Sequence, residues 1–113
     1  LAVCEQYPER KIVALFELHT FASLSASFLP EYAGSMAGAD IACVYYDEHT
    51  FEVKRMTPLT KSQVIAGFAN TGLVVCDSPA SLKSWYDSLD LNNSVVVLMS
   101  SGNFGGVEFI ATE

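Results

Sequence analysis

From Lys11 to Glu17 the chain reads Lys-Ile-Val-Ala-Leu-Phe-Glu, an apolar run with no polar residue inside it. A strand with one wet face alternates polar and apolar residues, whereas a strand covered on both faces does not. Ile12 to Phe16 therefore predicts a strand buried on both sides, as in a parallel sheet layered between helices. The run stops at Glu17, and His19, Thr20 and Ser23 follow before a helical pattern begins. In open parallel sheets ligands are gripped at the carboxyl ends of strands, so this exit reads as half of a binding site. A second exit has the same design: Val95 to Met99, then Ser100, Ser101, Gly102, Asn103, Phe104, Gly105 and Gly106.

Between these two exits the pattern alternates strand with helix. Leu1 to Tyr7 reads as the end of a helix stopped by Pro8. Apolar residues at Phe21, Leu24, Phe28, Leu29, Tyr32 and Met36 have helical spacing, with Pro30 expected to kink or split the helix. Ile41 to Tyr46 predicts a second strand, and Phe51 to Met56 a short edge strand or an irregular loop. Thr60 and Gln63 form a capping-box pattern for a helix over Lys61 to Asn70, with Gly72 as its stop. Leu73 to Cys76 predicts a third strand. Ser78 or Asp77 caps a helix through Leu89 that sets Leu82, Trp85, Tyr86 and Leu89 on one face. Ser94 to Met99 predicts a fourth strand, and Val107 to Glu113 fits a strand or a helix equally. The expected fold class is α/β: a three-layer, Rossmann-like, open and mostly parallel sheet with helices on both faces and right-handed crossovers.

The 113 residues, half of them hydrophobic, suit one domain with one core. The chain opens with Leu rather than Met, which points to a fragment of a longer protein. No apolar run approaches the roughly 20 residues that a spanning helix needs. The formal net charge of −7 repels phosphate backbones and anionic lipid, so neither nucleic acid nor membrane is an expected partner. Cys4, Cys43 and Cys76 are odd in number and widely spaced, which indicates neither a disulfide framework nor a zinc site. Cys43 and Cys76 fall in apolar strand patterns and read as small buried hydrophobes, with reduced thiols pointing to the cytoplasm.

Chemical motifs are sparse. There is no G-x-S-x-G elbow for a nucleophilic serine and no Walker A loop, and Gly102-Asn-Phe-Gly-Gly is not a dinucleotide fingerprint. The loop after the fourth strand can present backbone N–H groups and hydroxyls to an anion, or its glycines can simply permit a tight turn. His19 reads either as a surface residue bonded to backbone or as part of the site. Glu17 stands at a buried strand end, and a carboxylate there needs a partner. His49 belongs to a charged, solvated turn. Trp85, Tyr86 and Phe28 read as core or interface residues.

Taken together, Ile12-Val-Ala-Leu-Phe16 with Glu17-Leu-His-Thr20, Gly38 to Asp47 (GADIACVYYD), and Val95 to Gly105 (VVVLMSSGNFG) resemble the C-terminal domain of the Mur ligases over essentially the whole chain. Leu18 departs from the proline usual in that family, and Thr20 and Ser23 stand where its alanine-adding branch has arginines. The resemblance is nearest the muramate-adding branch and favours a tripeptide acceptor over L-alanine. It implies the closing, acceptor-binding domain of a three-domain, ATP-dependent amide-forming ligase of peptidoglycan synthesis or recycling. It also implies N-terminal and central domains in the same chain, UDP-N-acetylmuramate as substrate, and ATP with Mg2+ held mainly by the central domain. No catalytic residue and no metal ligand is then expected in these residues, and the domain alone is expected to be inactive. The substrate-binding residues implied are His19, Thr20, Ser23, Ser101, Gly102, Asn103 and Phe104, with Glu17 in support. A stand-alone, flavodoxin-like small-ligand or regulatory module uses the same strand exits, and a purely structural domain uses neither.

Overall fold

The computed structural model describes Gln6, residues 9–19, residues 24–99 and Phe104. Four strands, β1 (Lys11–Glu17), β2 (Ile41–Tyr45), β3 (Val74–Cys76) and β4 (Ser94–Met99), form one sheet in the order β3-β2-β1-β4. All three pairings are parallel. Three α-helices, α1 (Glu48–Lys54), α2 (Lys61–Phe68) and α3 (Pro79–Asp87), and a 3-10 helix at Leu29–Tyr32 complete the described elements. The protein is thus an α/β domain of Rossmann-like form, as the strand patterns predict.

Each face of the sheet has its own core. Ala14, Val44 and Tyr46 on one face pack with Leu29, Phe51, Val64 and Phe68 from the 3-10 helix, α1 and α2. Phe16, Tyr32 and Phe68 interlock there: Tyr32 stacks on Phe68 with ring centroids 5.1 Å apart, and Phe16 meets Tyr32 edge-on at 5.1 Å. The other face is smaller, with Leu15, Cys43, Tyr45 and Cys76 covered by Leu82 of α3 and by Phe104. Burial of side chains this size stabilises by about 1.5–3 kcal/mol each.

The helix caps follow the sequence closely. Thr60 Oγ1 accepts the Gln63 N–H at 3.1 Å while Gln63 Oε1 accepts the Thr60 N–H at 2.8 Å. Ser78 and Ser81 form the same reciprocal box at the start of α3, where Pro79 needs no hydrogen-bond partner for its nitrogen. α2 stops at Ala69, which takes the left-handed conformation at φ 53°, earlier than the Gly72 stop expected.

Two elements differ from expectation. Residues 48–54 form α1 rather than an edge strand or loop, because the Asp47 side chain accepts the His49 N–H at 3.0 Å and nucleates a helix. The alternation that suggested a strand came from Val53, which is 69% exposed and packs on nothing that would define a face. The long helix expected across 21–36 is, within its described residues, a set of turns around the 3-10 helix. Pro30 removes a backbone donor, Gly34 turns at φ 76°, and the Gly34 N–H bonds the Phe68 carbonyl at 3.1 Å. Gly67 lets α2 lie against this segment: a Cβ there would come within 2.6 Å of the Leu29 Cβ. Leu1 to Tyr7 (Gln6 excepted) and Val107 to Glu113 lie outside the described residues.

Candidate functional site

The strand order sets the site. Chain progress from β1 through β2 to β3 runs towards one edge, and β4 then returns to the other side of β1. The reversal falls between β1 and β4, and in doubly wound sheets the crevice outside the carboxyl ends at such a reversal is where ligands bind. Phe16 is the register partner of Met99, so the two strand exits singled out in the sequence leave the sheet side by side.

Glu17 joins them. It ends β1 opposite Tyr45 and is almost fully buried. Its Oε1 accepts the Phe104 backbone N–H at 3.1 Å across 87 residues of sequence. A buried carboxyl oxygen needs a hydrogen-bond donor, and this backbone N–H supplies one. Its Oε2 lies 3.9 Å from Nδ1 of His19, whose side chain is about half-exposed at 51%. Phe104 has φ 54°, a left-handed conformation that is strained for a bulky residue. The buried ring and the bond to Glu17 hold it there.

The neighbouring exits use their polar groups otherwise. Asp47, after β2, caps α1, and Ser78, after β3, caps α3. Backbone bonds level this end of the sheet: Leu18 N–H to the Tyr45 carbonyl at 2.8 Å, and Tyr46 N–H to the Cys76 carbonyl at 3.0 Å. At the β3 exit the Asp77 carboxylate lies 4.0 Å from the Lys61 ammonium.

Tyr45 adds a group that the sequence pattern hides inside an apolar strand. Its hydroxyl is fully buried and has no hydrogen-bond partner among the described residues. Burial, then the nearby Asp47 and Glu17 carboxylates and Cys76, push the phenol above its ordinary range, so it stays protonated. The signal available in the sequence was Tyr45-Tyr46-Asp47, a third polar strand exit on the same rim.

Of the residues predicted for the site, the structure brings Glu17, His19 and Phe104 together. Thr20, Ser23, Ser101, Gly102 and Asn103 lie outside the described residues. A polar hollow of about 600 Å3 lies at the opposite pole, lined by Arg10 and residues 89–94. It sits at the amino ends of β1 and β4, where open parallel sheets do not grip ligands, and the rim is the better candidate. Among the described residues no group of three or more His, Cys, Asp and Glu side chains could hold a metal ion. Among the same residues no helix is long and apolar enough to cross a membrane.

The fold and the rim together define an α/β domain with a candidate ligand cleft at its topological reversal. No family model matches the chain, and no solved structure matches it.

Proposed function

We propose that this domain is the acceptor-binding, closing domain of an ATP-dependent amide-forming ligase, one that joins a short peptide, the tripeptide L-alanyl-γ-D-glutamyl-meso-diaminopimelate in preference to L-alanine, to UDP-N-acetylmuramate in the cytoplasm. The observation that supports it is the Glu17–Phe104 bond, which ties the two strand exits carrying the family-like motifs into one rim. In this reading His19, Thr20, Ser23, Ser101, Gly102, Asn103 and Phe104 contact the acceptor, and Glu17 holds the second loop in place. The domain then contributes orientation and exclusion of water, not the attacking atom.

In such a ligase ATP would supply the activating phosphoryl group and Mg2+ would neutralise the charge on it. The described residues do not fit them: no phosphate loop occurs in the sequence, and no group of three or more metal-ligating side chains converges. In this reading the nucleotide is held by a central domain of the complete gene product.

The test uses that complete gene product, assayed for ADP release with UDP-N-acetylmuramate and ATP. Turnover that depends on the tripeptide, with a KM raised about tenfold or more by Asn103→Ala or His19→Ala, is the expected result. ADP release indifferent to both acceptors, or the lack of a G-K-[ST] loop upstream, overturns the ligase reading and leaves a small-ligand module.

A further inference from the structure

We infer that Cys43 and Cys76 form a two-thiolate site for a soft monovalent cation, Cu(I) or Ag(I), in the smaller core of the sheet. Their sulfurs lie 3.7 Å apart, and the Cys43 sulfur is also 3.8 Å from the Val44 carbonyl. Neither is in a disulfide. This inference does not depend on the ligase proposal, although the pair shares its core with Tyr45 and with Phe104 of the rim.

The register decides what the pair can do. Cys43 is opposite Val74, and Cys76 is opposite Tyr45, so the two cysteines are diagonal neighbours on adjacent strands. With strands about 4.8 Å apart and a rise of about 3.3 Å per residue, positions two residues out of register stand about 8 Å apart, beyond the span of roughly 4.4–6.8 Å between Cα atoms that a disulfide accepts. Direct oxidation to a disulfide therefore requires the backbone to move. A bridging metal does not. Two metal–sulfur bonds of about 2.3 Å reach up to about 4.6 Å between sulfurs, so the thiols need to part by less than about 1 Å, which side-chain rotation supplies.

Coordination number selects the ion. Zinc takes four ligands in structural sites, and no third described ligand lies with this pair. Thiolates select Cu(I) among the softer ions, and a two-coordinate arrangement asks for nothing more than two sulfurs. Cys76 is lowered from the ordinary thiol range chiefly by the Cys43 hydrogen bond, with help from Ser81 and Lys61 against burial and Asp77. Cys43 is raised, first by that same bond and then by burial and the charge of Cys76. The buried, unpartnered Tyr45 hydroxyl in the same cluster is a donor available to added negative charge. Binding forms two metal–sulfur bonds and releases the Cys43 proton, together with the Cys76 proton where that thiol is still protonated; no electron is transferred.

The test is an anaerobic titration of the Cys4→Ser chain, which lacks the third thiol, with Cu(I) in competition with a chromogenic copper chelator. One equivalent should leave the chelator and produce a near-ultraviolet thiolate-to-metal band. Cys43→Ser and Cys76→Ser should each lower affinity by more than about 100-fold, since losing an outer-shell partner alone costs about 10–100-fold. As a check that needs no further variant, one equivalent of Ag(I) should raise the Tm of the same Cys4→Ser chain while Zn(II) leaves it unchanged. Copper kept wholly by the chelator, undiminished binding in Cys43→Ser, an equal response to Zn(II), or ready loss of two mass units on mild oxidation with diamide would overturn the inference.

Discussion

Tyr45 and Tyr46 are chain neighbours on opposite faces of the same sheet, and they show how differently the faces are built. Tyr46 lies in the larger core, packs edge-on against Phe51 at 5.6 Å and donates its hydroxyl to the Leu59 carbonyl at 3.3 Å. Tyr45 lies in the smaller core beside Cys43 and Phe104, and its hydroxyl has no hydrogen-bond partner among the described residues. The larger face is filled with interlocking rings and satisfied polar groups. The smaller face gathers a buried carboxylate, an unpaired phenol and two thiols. Stability is concentrated on the first, and the groups with chemistry to offer are concentrated on the second.

Substitutions can break that division. The largest effect is expected for Phe68→Ala, which removes the ring that stacks on Tyr32 and meets Phe16 at 5.9 Å. It should cost about 3–5 kcal/mol, read as a fall in the urea midpoint. Glu17→Ala on the other face leaves the Phe104 N–H without this acceptor and should cost about 1.5–3 kcal/mol. If Glu17→Ala proves the more damaging of the two, the division of labour between the faces is wrong.

Tyr45→Phe sharpens the contrast because it removes only an unpartnered hydroxyl. An unpaired buried hydroxyl costs about 1–3 kcal/mol, so this variant should be as stable as the parent or more stable. Tyr46→Phe instead loses a bond and leaves the Leu59 carbonyl unmatched, with a loss of about 1 kcal/mol. Matched urea melts of the two variants distinguish the faces directly, and equal losses would erase the distinction.

A smaller effect appears with pH. Burial, then Asp77 and Glu48, raise the Tyr46 phenol from 10.0 to about 12, and Tyr45 moves in the same direction. Both groups bind protons more tightly when folded than when unfolded. Their contribution is thus fully present below about pH 10, the unfolded value, and fades as pH climbs through the folded values. Stability should fall between about pH 10 and 12, less steeply in each Phe variant. A stability curve flat across that range would contradict the burial of both phenols.

The sequence pattern was readable wherever one local signal had no competitor. Ser94–Met99, the box at Thr60 and, of the two caps offered, the one at Ser78 appear where the residues indicated. α1 was obscured because Asp47 to Thr50 reads equally as a charged turn or as a helix start, and exposed Val53 imitated a strand. Pro30 and Gly34 outweighed the helical spacing of Leu29, Tyr32 and Met36, because spacing reports only which positions are apolar. In the site, Glu17 and His19 were visible as a sudden change of polarity at a strand end. That Phe104 would reach back to Glu17 was not visible, since periodicity carries no information on which strands become neighbours. Tyr45 was hidden for the same reason, its role arising from a strand partner rather than from its own surroundings in sequence.

The central claim is that the β1 and β4 exits form one rim closed by the Glu17 carboxylate. Residue-resolved amide hydrogen exchange at Phe104, in the parent chain and in Glu17→Ala, tests it most directly. The Phe104 amide should be protected in the parent and lose that protection in Glu17→Ala, with the central β1 amides of both chains exchanging slowly. A Phe104 amide that exchanges freely in the parent, or equally slowly in both chains, would contradict it.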